Sequence, residues 1–191
     1  MTPILGIWAS QMSGHLWAPA GAYDALATVT LSATTSTITF AGIPSGYKHL
    51  QLRISARDAR ALNGLNPIDM YANSDTTYTN YRNHYIYGDG ASTGAGTGQA
   101  SGQYFSAGGS VGNSTTANIF SAGIVDILDY ANTTKNKVAR TLTGADFNGS
   151  GEIDFISSLW MSTSAITSLT LVPRSSSGFL QYSSFALYGI R

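Results

Sequence analysis

Ala165-Ile-Thr-Ser-Leu-Thr-Leu-Val-Pro173, Arg174-Ser-Ser-Ser-Gly178 and Phe179-Leu-Gln-Tyr-Ser-Ser-Phe-Ala-Leu-Tyr-Gly-Ile190 form the stretch that decides the fold. The first piece is dense in β-branched and aliphatic residues and stops at a proline. The second is turn chemistry throughout. In the third, Phe185 and Leu187 fall on one side of an extended chain, and Tyr182, Ser184, Ala186 and Tyr188 on the other. Period-two alternation bounded by Gly, Ser and Pro is the pattern of half-buried strands. The stretch therefore reads as a strand, a turn and a closing strand, with Leu169, Leu171, Phe185 and Leu187 in the core. Its apolar finish at Gly189-Ile190 reads as tied into a sheet.

The same alternation runs back through the chain. Tyr47 to Arg57 is its clearest case, with Leu50, Leu52, Ile54 and Ala56 inward and His49, Gln51, Arg53, Ser55 and Arg57 outward. Thr37 to Ala41, Ile68 to Ala72, Tyr81 to Tyr87, Gly123 to Tyr130, Lys137 to Thr143 and Glu152 to Trp160 add further strands. Asp58 to Asn66 reads as a loop carrying one helical turn at Ala59 to Leu62. The glycine-rich Gly88 to Gly112 reads as a long irregular loop, a length that usually marks function or mobility. Nine or ten short strands at this spacing predict an all-β, antiparallel, jelly-roll-like β-sandwich with extra edge strands over residues 28–191.

Composition agrees with that class. Apolar residues make up 43% of the 191, enough for a core, while only 10% are charged, against roughly 25% in ordinary soluble domains. Ser, Thr, Asn, 21 Gly and 11 Tyr take the surface positions that Lys and Glu fill on helices. The formal net charge is zero, which offers a phosphate backbone little, so nucleic acid is not expected as a partner. Weak charge also gives weak repulsion between copies, in keeping with life in an assembly. With no cysteine, disulfides, thiolate metal sites and a cysteine nucleophile are excluded. No apolar run approaches a membrane span and the first residues lack a signal-peptide pattern, so no membrane partner is expected.

Residues 1–27 differ from the rest. Asp24 is the sole charge before Lys48, and Trp8 and Trp17 sit among Gly, Ala, Ser and Pro. The segment reads either as packed across its own domain or as an arm docked on a neighbour. Exposed tryptophan favours the arm, which makes Ile7, Trp8 and Trp17 candidate partner-binding residues. Tyr81, Tyr85 and Tyr87, alternating with Arg82, His84 and Ile86, form a second candidate face for a protein or a sugar, with ordinary cross-strand packing as the alternative.

No motif points to catalysis or to a cofactor. Asp146-Phe-Asn-Gly-Ser-Gly-Glu-Ile-Asp154 follows the first half of a calcium loop, but Ser157 stands where a bidentate Glu is needed and both flanks are strand-like. It reads as an Asn-Gly hairpin turn. Gly94-Ala-Gly-Thr-Gly98 lacks the following helix and acidic residue of a dinucleotide site, and no phosphate cradle is present. His15, His49 and His84 have no zinc-ligand spacing and no serine elbow accompanies them. Asp126 with Asp129, and Glu152 with Asp154, are the carboxylate pairs a glycosidase would need. Asp126 and Asp129 fall on opposite faces of a strand, while Glu152 and Asp154 share one.

Several segments together are similar to a known family. Ile4-Leu-Gly-Ile-Trp-Ala-Ser10, Ile43-Pro-Ser-Gly-Tyr-Lys-His-Leu-Gln-Leu-Arg53, Tyr87-Gly-Asp-Gly90, Ile127-Leu-Asp-Tyr130, Leu159-Trp160 and Phe185-Ala-Leu-Tyr-Gly-Ile190 resemble segments of small virion structural proteins of tailed bacteriophages. The resemblance spans nearly the whole chain and carries no catalytic residues. It implies a β-sandwich on the outer surface of a phage particle, working as a homo-oligomer (trimer or dimer) against other virion proteins. The leading expectation is a capsid decoration (cement) protein bound to the major capsid protein. A tail-fibre or tail-tip module binding a host surface glycan is the alternative.

Overall fold

The computed structural model describes residues 21–98 and 105–191, and the regular structure among them is strand apart from one short 3₁₀ turn. In chain order they are β1 (Tyr23–Thr30), β2 (Ile38–Ala41), β3 (His49–Ser55), β4 (Leu65–Ala72), β5 (Tyr81–Gly88), β6 (Thr93–Gly98), β7 (Phe105–Val111), β8 (Ala122–Leu128), β9 (Lys137–Asp146), β10 (Gly151–Trp160), β11 (Ser168–Pro173) and β12 (Ser184–Ile190). One 3₁₀ turn, Tyr78–Asn80, precedes β5. All ladders are antiparallel.

Two sheets result, ordered β1-β12-β3-β8-β9-β10-β5-β6 and β2-β11-β4-β7. Four pairings are nested along the chain: β1 with β12, β2 with β11, β3 with β8, and β4 with β7. Successive members of this set alternate between the sheets, as in a double ribbon rolled into a jelly roll. The hairpins β5–β6 and β9–β10 are insertions that prolong one sheet to eight strands while the other stays at four. The expected jelly roll with extra edge strands is what forms.

The core lies between the sheets, and period-two alternation sets it. Leu50, Leu52 and Ile54 of β3, and Ile68, Met70 and Ala72 of β4, are buried as expected. Leu169, Leu171, Phe185 and Leu187 are buried too, but from opposite sides. Strand β11 pairs with β2 and β4, whereas β12 pairs with β1 and β3. The closing strands are thus no hairpin; the chain crosses the core edge between them, and Phe179 packs edge-on against Phe185 at 4.8 Å.

Four other readings change. Strand β1 starts at Tyr23, so the sheet takes up residues assigned to the arm. The stretch Gly88 to Gly112 is not one irregular loop, since it contains β6 and β7. Ala59 to Leu62 forms bends rather than a helical turn. Arg57 points inward: its guanidinium donates to the carbonyls of Asn113, Thr115, Thr116 and Ile119 and ties down the loop before β8. Beside it the buried Asp58 carboxylate accepts from Asn66 Nδ2 (2.7 Å) and Ser110 Oγ (2.6 Å). Lys137 is also buried, its Nζ donating to the carbonyls of Asn132, Lys135 and Thr163 at 2.6–3.0 Å.

Candidate functional site

The mismatch between eight strands and four leaves part of the longer sheet uncovered, and both faces of that part carry unusual surfaces. On the core-facing side, even residues of β10 and odd residues of β5 share one face, because Asp154 pairs with Tyr87 and Trp160 with Tyr81. Under the four-stranded sheet this face is core. Tyr81 is 1% exposed, stacks on Trp160 at 6.3 Å, and spends its hydroxyl between Ala72 N and Asp75 O. It is an interior residue, which leaves Tyr85 and Tyr87 as the surface members of the expected tyrosine face.

Beyond the cover of β7 the same face opens into a recess of about 360 Å³. Tyr85 and Tyr87 form its platform. Their cross-strand partners on β6 are Gly96 and Gly94, and each ring lies down over its glycine. A Cβ added at Gly94 would stand 2.5 Å from Tyr87 Cε1, and one at Gly96 would stand 2.5 Å from Tyr85 Cζ. Only glycine leaves room for a ring at that height, a device that also gives the glycine strand something to pack against. The far wall comes from Leu65, Pro67, Gly108 and Gly109.

Glu152 and Asp154 line the recess beside the rings. They stand two residues apart on the same face of β10. Burial, followed by repulsion from Asp154 and Asp89, holds the Glu152 carboxyl above its ordinary range. Burial raises Asp154 as well, partly offset by its interaction with Glu152. Arg174 reaches the rim, its guanidinium gripping Asp69 through Nε (3.1 Å) and Nη2 (2.7 Å).

The opposite face of the same strands is apolar. Ile86, Phe155, Leu142 and Ile124 are consecutive cross-strand partners on β5, β10, β9 and β8, so they form one unbroken row. Ile153 adjoins it. All five are 42–63% exposed, whereas most large apolar side chains among the described residues are inside. A trough of about 950 Å³ runs alongside, with Gly88, Gly144 and Ala122 in the register row through Ile153. Towards β12 the face turns polar: Arg53 lies over the rings of Tyr188 (4.6 Å) and Tyr23 (5.5 Å), and Asp126 binds Gln51 and Arg140.

The remaining candidates are dispersed. Asp126 is held in that polar network and Asp129 pairs with Lys135 Nζ at 2.8 Å, so the two acids share no site. His49 Nδ1 accepts from Asp129 N, and His84 stands exposed on the outer face. Asp146 to Asp154 forms the β9–β10 hairpin. Asn148 (φ 64°) and Gly149 (φ 109°) make a type I′ turn, and Asp146 Oδ1 accepts from Asn148 N. Ile7, Trp8 and Trp17 lie outside the described residues. The apolar row escaped sequence reading, although Ile153 and Phe155 alternating with Glu152 and Asp154 on one strand was its signal.

No family model, no curated protein and no solved structure matches this chain.

Proposed function

We propose that this chain is a non-enzymatic structural protein of a bacteriophage virion, a capsid decoration protein seated on the outer surface of the shell. The exposed apolar row on β5, β10, β9 and β8 carries the reading, because a surface of this kind is normally covered by a partner. Its partner on this reading is the major capsid protein. The nearly uncharged N-terminal segment, with Ile7, Trp8 and Trp17, supplies a second attachment to the shell or to a neighbouring copy.

Magnitudes favour an oligomer. Fully burying an Ile, Leu or Phe side chain contributes about 1.5–3 kcal/mol, so five that are already half covered add roughly 4–7 kcal/mol. Ordering the partners costs a similar amount. One such face binds weakly, whereas a dimer or trimer presenting two or three to a repeating lattice binds by avidity. Cementing then consists of joining neighbouring capsid subunits so that the shell is harder to open.

Gold or antibody labelling of intact particles tests the location, and heat challenge tests the role. Label distributed over the head, and earlier genome loss from particles lacking the protein, is the expected result. Label confined to the tail tip would overturn the reading in favour of a tail-fibre module. So would unchanged heat resistance of particles without it.

A further inference from the structure

We propose that the recess beside β7 binds a saccharide, neutral rather than anionic, with the rings of Tyr85 and Tyr87 beneath a sugar ring. Each tyrosine lies on a glycine of β6, so one ring face is against backbone and the other is turned outward; Tyr85 is 36% exposed. A pyranose ring has the complementary construction, an apolar C–H face edged by hydroxyls. The negative face of an aromatic ring attracts such C–H groups and adds apolar contact area. Two adjacent rings with centroids 6.4 Å apart and planes inclined by 39° make a shallow platform rather than a slot.

The hydroxyl edge needs hydrogen-bond partners, and the recess supplies them in the right place. Asp154 pairs with Tyr87 across the β10–β5 ladder, which puts the carboxyl pair beside the platform. The carboxyl oxygens of Glu152 and Asp154 offer acceptors to the hydroxyls of a sugar. Arg174 adds N–H groups at the border. Among the lining residues the one cation, Arg174, is already neutralised by Asp69, and the remaining charge-bearing side chains, Glu152 and Asp154, are acids. Phosphorylated and sialylated ligands are therefore repelled. The volume, about 360 Å³, sits at the small end of the range for small-molecule sites, fitting one or two sugar residues of a longer chain.

The recess and the apolar row lie on opposite faces of the same strands. A molecule attached by one presents the other outward, so the inference holds for any seating that uses the apolar row.

A glycan array carrying neutral, amino and sialylated oligosaccharides, probed with the full chain, tests the proposal. Neutral glycans should be retained in preference to sialylated ones, and the same glycans in solution should shift the ring NMR signals of Tyr85 and Tyr87. Tyr85→Ala and Tyr87→Ala should each weaken retention about tenfold, the worth of one lost aromatic contact. Tyr87→Phe keeps the ring and should stay within about threefold of the parent. If the alanine variants do not fold, Asp154→Asn decides: it keeps the shape, removes the acceptor charge and should weaken retention about threefold or more. No retained glycan, a preference for sialylated glycans, or retention untouched by all the folded variants would overturn the proposal.

Discussion

The ring of Tyr87 occupies the space in which any residue other than glycine at position 94 would place its Cβ, 2.5 Å from Cε1. The usual effect of Gly→Ala at a compatible site is a gain of about 0.4–1 kcal/mol, through a less flexible unfolded chain. Gly94→Ala should reverse that sign, because the ring must lift off the strand. A fall in melting temperature of about 3–6 °C is expected, from roughly 1–2 kcal/mol of overpacking. Gly46, with nothing within 4 Å of an added Cβ, is the control. Gly46→Ala should raise the melting temperature by about 1–3 °C. Thermal melts of both variants check the pair, and a gain at position 94 would refute the ring placement.

Stability should fall with rising pH on account of Glu152 and Asp154. Both carboxyls are held above their ordinary range, so the folded state binds their protons more tightly than the unfolded state. Their contribution is complete below about pH 4, the unfolded range, and is lost as pH rises through the raised folded values. Glu152→Gln removes the ionisation while keeping shape and donor. It should gain about 2–4 °C in melting temperature at pH 8 and less than about 1 °C at pH 4. An equal gain at both values would point to packing instead.

Lys137 is worth more than its charge. Its ammonium satisfies three carbonyls around the β8–β9 turn and the β10–β11 connection, at the cost of a pKa lowered by burial. Lys137→Met keeps the stem and leaves the acceptors without their donor. A loss of about 3 kcal/mol in urea unfolding is expected.

Charge placed on the outer face separates folding from assembly. Leu142 and Phe155 are ladder partners that contribute little to the core, being 52% and 42% exposed. The double substitution Leu142→Lys, Phe155→Lys should move the melting temperature by no more than about 2 °C. Retention on particles stripped of the protein should disappear. A variant that still binds such particles would remove the apolar row from the attachment surface.

Residues whose neighbours along the chain determine their side were legible. Leu50, Leu52, Ile54, Leu169, Leu171, Phe185 and Leu187 alternate with polar residues and are buried. Asn148-Gly149 announces its turn type by needing two positive φ values. What stayed hidden is non-local. That β11 and β12 join different sheets depends on partners far back along the chain, in β1, β2, β3 and β4. Strand β6 reads as loop because glycine has low strand propensity, and the compensation comes from rings on another strand. Arg57 falls at an outward position by alternation, yet the bridge to Val111 and the loop carbonyls draw it in. Ile153 and Phe155 are apolar, and local logic would turn them to the core. Ile156, Ser158 and Trp160 fix the parity of β10 farther along, and the carboxyls take the inner positions instead.

That parity makes the two surfaces of the molecule interchangeable by one step. Between Glu152 and Phe155 every second residue belongs to the recess and every other to the apolar row, and likewise for Tyr85, Ile86 and Tyr87. A single inserted or deleted residue ahead of Ile156 would trade the sides over the segment it shifts. Isoleucine and phenylalanine would then fill the recess, and two acids would stand where the outer face is greasy. The register in which Ile156, Ser158 and Trp160 hold β10 thus decides which side of the sheet is sticky and which is wet.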